Sequence, residues 1–296
     1  MRTCVIFNPV ARGDKARQFR RHFDKLAAPC VLRPTARVGD ARALAAQAVR
    51  EGFPIIVAAG GDGTANEVLN GIGDVPGGFA KTALGILPLG TVNVFAREIG
   101  MPFNFHQAWE TIARGKTITI DLPSAEFIVA GKTERRYFIQ LAGAGIDSRA
   151  IELVDWKLKK KIGPLAYVAA GLKTLREPHP IITVQSKQQS FSGELVLLGN
   201  GRLYGGKFII FPRANFQDGL IDVCVFPKVR WRELGSAGWG LLTGRLHQLC
   251  RACQLQSDSF TLTSKQRVLL ELDGENVGEL PATISMQPKT LQVLVP

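Results

Sequence analysis

Residues 55–72 read IIVAAGGDGTANEVLNGI. Ile55 to Ala59 form a short apolar run of the kind that becomes a buried strand. Gly60, Gly61 and Gly63 then surround Asp62, and Thr64 opens a helical pattern. Ligands of open α/β sheets sit beyond the carboxyl ends of the strands, and these glycines lie at such an end. Without Cβ atoms they let the backbone turn tightly and approach a bound group. Thr64 and Glu67 fit the S/T-x-x-E capping box, so a helix is expected from about Thr64 with N–H groups available to a phosphate. Asp62 does not suit bare phosphate. It suits a site where Mg²⁺ mediates, or where it holds water or hydroxyl groups. The plainer alternative is a glycine-rich turn that binds nothing.

Upstream and downstream of this stretch the same rhythm continues. Residues 4–7, 30–32 and 83–87 are strand-like. Phe19, Phe23 and Leu26 recur at helical spacing, Asp40 is placed to cap a helix running to Val49, and residues 92–98 form a short helix stopped by Gly100. Strands alternating with helices indicate a parallel α/β sheet. From Asp121 the rhythm changes to segments 124–129, 136–141, 181–185, 194–198, 220–226, 259–263, 267–272 and 282–286, separated by Gly, Asn and Asp turns. That pattern predicts an antiparallel β-sandwich or barrel, interrupted by helices over 151–175 and 232–247. The expected organisation is a nucleotide-binding α/β domain over 1–121, a β-sandwich over 122–287, residues 288–296 returning to the first domain, and a ligand cleft between the two.

Two further strand ends carry turns with hydrogen-bonding side chains: Asn8-Pro9-Val10-Ala11-Arg12-Gly13, and Pro88-Leu89-Gly90-Thr91-Val92-Asn93. Neither a Walker A pattern nor G-x-G-x-x-G is present, which disfavours both of those nucleotide folds. Of the chain's 296 residues 46% are hydrophobic and 21% charged, a globular balance, but the net charge is +12. Such a balance favours anionic partners. No nucleic-acid-binding motif accompanies it, so a phosphorylated substrate or an acidic membrane surface fits better than nucleic acid. Two stretches mix basic residues with aromatic and apolar ones: 156–162 (WKLKKKI), and 229–249 with Arg230, Trp231, Arg232, Trp239 and Arg245. They suit docking to an anionic leaflet, or equally a solvated charge run beside core helices. Five cysteines without a dense pattern, no signal-peptide pattern and no apolar run near ~20 residues point to a cytoplasmic protein that visits a membrane peripherally.

NP-x-x-x-G, GGDGTxNE, PLGTxN, GAGID, QDGLID and LDGE occur in this order. With them the chain resembles the soluble diacylglycerol kinase and sphingosine kinase family of lipid kinases, its bacterial members in particular, from Phe7 to the final LVP. The resemblance implies ATP and Mg²⁺ as cofactors, an ATP-binding α/β domain, a β-sandwich that holds the lipid, and phosphorylation of a lipid hydroxyl such as that of diacylglycerol. It implies nucleotide contacts from Asn8, Pro9 and Thr35. It assigns a phosphate cradle to Gly60, Gly61, Asp62, Gly63, Thr64, Asn66 and Glu67, and further contacts to Thr91 and Asn93. It implies a metal site at Asp218, completed by the carbonyls of Asn215 and Leu220, and a general base drawn from Asp273 or Glu275, with Asp62 also serving catalysis. Asp273-Gly274 reads independently as a hairpin turn. Two departures bear on nucleotide preference: Val94 stands where an aspartate is common, and Ala11-Arg12 where a small serine-glycine pair is usual. An NAD kinase or a phosphofructokinase-like enzyme shares GGDG, and a catalytically silent lipid-binding protein is the alternative outside enzymes. The four histidines match no motif, and oligomeric state is not legible.

Overall fold

The computed structural model describes residues 2–9, 19, 23, 30–145, 179–243, 245 and 254–296. The chain divides into two compact units, Met1–Leu122 with Pro288–Pro296, and Pro123–Gln287.

In the first unit, strands β1 (Thr3–Phe7), β2 (Cys30–Pro34), β3 (Ile55–Gly60) and β4 (Ala83–Pro88) run parallel in the order β2-β1-β3-β4. All of β1, β3 and β4 is buried, so TCVIF, IIVAAG and ALGILP are near-continuous apolar runs rather than alternating ones. The helices are α1 (Asp40–Arg50), α2 (Asp62–Gly73), α3 (Gly78–Lys81), α4 (Val94–Glu98) and α5 (Phe105–Arg114). Val293, near the chain end, pairs in parallel with Leu84 of β4. Phe19 is buried against Phe7, ring centroids 4.7 Å apart; Leu26 lies outside the described residues.

Three expected helix starts shift. Helix α2 begins at Asp62, not Thr64, and its N-cap Gly61 is extended with no side-chain cap. The capping box therefore does not form: Thr64 sits inside the first turn, and Glu67 lies too far along to reach the helix end. Helix α1 is capped by Gly39 (φ 88°), and Asp40 is its first residue, whose carboxylate accepts N–H bonds from Ala36 and Arg37. Helix α4 starts at Val94 because Asn93 takes a left-handed conformation (φ 51°) that a helix cannot contain.

The second unit is antiparallel. Its strands are β5 (Thr117–Val129, entering from the first unit), β6 (Lys132–Tyr137), β7 (Leu141–Gly145), β8 (Ile182–Gln185), β9 (Ser190–Gly193), β10 (Leu195–Gly199), β11 (Leu203–Tyr204), β12 (Phe208–Ile209), β13 (Ile221–Phe226), β14 (Gln254–Ser257), β15 (Ser259–Ser264), β16 (Leu269–Leu272) and β17 (Glu275–Leu294), with helix α6 (Trp231–Thr243). The order β14-β13-β10-β7-β16-β17 makes one run, and β15 joins β17 to β8 and β9. Alternation places Val196 and Leu198 of β10 in the main core and Leu197 in a second one with Phe211 and Cys224. The expected strand over 136–141 is instead the end of β6 and the start of β7, and 282–286 is only part of the twenty-residue β17. The helix expected over 151–175 lies outside the described residues, as do His247, Cys250 and Cys253. Among the described residues no helix is long and apolar enough to cross a membrane.

Candidate active site

Three strand ends of the first unit meet at one edge. The Asn8 N–H, just past β1, donates to Ala59 O of β3 (3.0 Å), and Asn8 Nδ2 donates to Thr64 Oγ1 (3.3 Å). A Cβ at position 60 would collide with that Thr64 side chain, so Gly60 gives the hydroxyl its room. The N–H groups of Leu89 and Gly90, past β4, both donate to Gly60 O (2.9 and 3.0 Å). Gly61 and Gly90 pass so closely that a Cβ on Gly90 would stand 2.6 Å from the Gly61 Cα. Asn93 is buried and donates from Nδ2 to Gly90 O (2.7 Å), closing the PLGTVN turn. Thr91 is exposed at the tip of that turn and Pro9 at the tip of the first. Thr35, buried past β2, donates its N–H to Phe7 O (2.9 Å). Val10, Ala11, Arg12 and Gly13 lie outside the described residues.

Asp62 heads α2, and its Oδ1 accepts the Phe95 N–H of α4 (3.4 Å). Asn66 is buried inside α2 and accepts from Asn70 Nδ2 through its Oδ1 (3.0 Å). Glu67 caps a different helix from the one expected: its two carboxylate oxygens accept the N–H groups of Gly39 and Ala41, both at 3.0 Å, at the start of α1. Glu67 thus ties α1 to the cradle. Gly63 completes the first turn of α2. The edge offers backbone N–H groups, small residues and hydroxyls to an anion.

In the second unit, Asp273 and Gly274 form the two-residue turn between β16 and β17, both with positive φ (48° and 91°), as a type I′ hairpin requires. The Asp273 carboxylate turns back onto the start of β7. Oδ2 accepts the Ile139 N–H (2.9 Å), and Oδ1 accepts those of Gln140 (2.9 Å) and Leu141 (3.1 Å). The Asp273 N–H in turn donates to Leu141 O (2.8 Å). Glu275, two residues on, is exposed.

Sequence reasoning missed the groups that hold this turn. Buried Glu271 accepts the Gly274 N–H, buried Asn200 donates from Nδ2 to Ile139 O (2.9 Å), and Gln140 Nε2 donates to Leu203 O (3.0 Å). Their signal was a polar residue set inside an apolar strand run, as in Leu269-Leu270-Glu271-Leu272.

Asp218 is exposed in a turn. Its N–H donates to Asn215 O (3.4 Å), and its Oδ1 accepts the Leu220 N–H (3.0 Å). One carboxylate beside a carbonyl fits a hard cation that keeps part of its water shell, as Mg²⁺ does. Among the described residues no group of three or more His, Cys, Asp or Glu side chains forms a metal cage. Asp222, buried four residues on, is a second missed carboxylate; burial pushes its carboxyl above the usual range, against the Gln256 amide bond that favours the charged form. Cys4 is buried and its thiol is pushed up to about 11 by that burial, which suits a packing role.

Residues 2–125 match the diacylglycerol kinase catalytic domain, and 140–295 match the YegS C-terminal NAD kinase beta sandwich-like domain. A diacylglycerol kinase of Staphylococcus carnosus is 30% identical over 302 residues, covering 100% of this chain and 95% of that protein. One of Staphylococcus saprophyticus is 31% identical over 265 residues, covering 88% and 83%. The fold matches a crystal structure of a diacylglycerol kinase from Bacillus anthracis str. Sterne with a TM-score of 0.79 at 21% identity, covering 100% of this chain and 97% of that one. The chain belongs to the diacylglycerol kinase family of lipid kinases.

Proposed function

We propose that this lipid kinase transfers the γ-phosphate of ATP to the free hydroxyl of diacylglycerol at a membrane surface, with Mg²⁺. The observation that carries the reading is the edge where Asn8, Gly60–Thr64 and Gly90–Asn93 are locked together by Asn8–Thr64 and by the Gly60 carbonyl. Phosphoryl transfer asks a protein chiefly to position groups and offset charge. Gly61 and Gly90 present bare backbone to the nucleotide phosphates, while Asn8, Pro9, Thr35, Thr64, Asn66, Thr91 and Asn93 shape or contact its site. Asp62 would help hold Mg²⁺ at the phosphates, and Asp218 with the carbonyls of Asn215 and Leu220 would hold a metal. When bound, Mg²⁺ neutralises phosphate charge.

The proton of the attacking hydroxyl goes to a carboxylate of the LDGE turn. Three backbone N–H groups already occupy most of the acceptor sites of the Asp273 carboxylate and favour its charged form, so it is the poorer proton acceptor of the pair. Exposed Glu275 is the better acceptor, with Asp273 as its positioning residue. The protein works in the cytoplasm and visits the membrane peripherally. The test is ADP release from Mg-ATP with mixed micelles of single lipids, NAD and buffer alone in parallel. Turnover only with diacylglycerol supports the reading; turnover with another lipid changes the acceptor, and turnover with NAD alone refutes lipid phosphorylation.

A further inference from the structure

Helix α6 is thirteen residues long and exposes two tryptophans, Trp231 at 62% and Trp239 at 69%. At about 100° per residue, Trp231, Arg232, Gly235, Ser236 and Trp239 fall on one face of the helix. All five are exposed. The helix root is anchored. Buried Glu194 accepts the Val229 N–H (2.7 Å) and both terminal nitrogens of Arg230 (2.7 and 3.0 Å), and Glu233 accepts the Arg230 N–H (2.9 Å). Arg232 lies on the face itself, exposed Lys228 precedes the helix and exposed Arg245 follows it, and Glu233 is the sole acid between residues 228 and 245.

We infer that this face of α6 is the membrane-docking surface of the protein, lying in the headgroup region of an anionic phospholipid bilayer. Tryptophan is favoured at the membrane–water interface, where its ring is apolar and its N–H stays wet. Thirteen residues are too few to span the ~20-residue hydrocarbon core but suit a helix lying in the interface plane. The flanking cations and the net charge of +12 select anionic lipid. The anchored root makes the helix a fixed keel rather than a loose segment. The choice of partner rests on the lipid-kinase reading.

The test is co-sedimentation of the full chain with phosphatidylcholine vesicles, with and without phosphatidylglycerol, beside activity on a water-soluble short-chain diacylglycerol. The unmodified protein is expected to partition at least several-fold better onto the anionic vesicles. Trp231→Ala/Trp239→Ala should lose about tenfold in partitioning, Arg232→Gln/Arg245→Gln several-fold, and both should keep short-chain activity. Trp231→Phe/Trp239→Phe, which preserves packing, should still bind but lose most of the quenching of tryptophan emission by brominated lipid. Wild-type sedimentation by the alanine variant, undiminished quenching in the phenylalanine variant, or no binding by the unmodified protein overturns the inference. Absent short-chain activity in a protein that still binds vesicles counts against the lipid-kinase reading alone.

Discussion

Gln140 donates its backbone N–H to Asp273 Oδ1 at 2.9 Å, between two like bonds from Ile139 and Leu141. The carboxylate of a hairpin turn is thereby fixed to the start of β7. This arrangement divides the LDGE pair: one member holds the turn, and the other is presented by it.

Asp273→Asn and Glu275→Gln should therefore fail differently. An amide at 273 places an NH₂ against backbone N–H donors, a loss of about 1–3 kcal/mol in stability. Glu275→Gln should change stability by less than about 0.5 kcal/mol, since the residue is exposed, and lower kcat on lipid by roughly 100-fold or more. Denaturant unfolding beside steady-state kinetics checks both. Full kcat in Glu275→Gln would move the base to Asp273.

Gly90→Ala puts a Cβ 2.6 Å from the Gly61 Cα and 2.9 Å from Asn93 Oδ1. Forcing the two turns apart should cost about 1–3 kcal/mol. Calorimetric titration should show ATP affinity at least about tenfold weaker. Unchanged affinity would place the nucleotide away from this edge.

Glu67→Gln replaces one of two oxygens that cap α1 with an amide NH₂. The expected loss is about 1–2 kcal/mol of stability. The melting temperature checks it, and kcat/KM for ATP should fall only in step with nucleotide affinity.

Glu194 gives a pH prediction. Burial opposes its ionisation, but the Arg230 guanidinium and the Val229 N–H outweigh that and hold its carboxyl below the ordinary 4.5. A depressed folded-state value contributes stability that is complete above 4.5 and lost as pH falls through the folded value. Arg230→Gln leaves the Val229 N–H as the main group set against the burial, so acid unfolding followed by circular dichroism should begin at a higher pH than in the unmodified protein. An unmoved midpoint would show that the pair is not coupled to folding.

Much of this was legible in sequence because the first unit writes its sheet in apolar runs broken by glycine. Ile55–Gly60 and Ala83–Pro88 stand as expected to within a residue or two. Helix starts were misplaced because propensity sees Thr64 and Glu67 as a capping box, whereas tertiary structure gives Glu67 to α1. The anchoring of Asp273 was not legible at all. It depends on main-chain donors at 139–141, more than 130 residues away, and main-chain N–H groups leave no mark in side-chain pattern.

The most direct test of the central claim is phosphate transfer from γ-labelled Mg-ATP to diacylglycerol in anionic vesicles, with the lipid product identified by mass, for the unmodified protein and for Asp62→Ala. The expected result is labelled phosphatidic acid formed by the unmodified protein and reduced at least about 100-fold by the substitution. No labelled lipid from a folded protein that binds ATP, or equal labelling by Asp62→Ala, would contradict it.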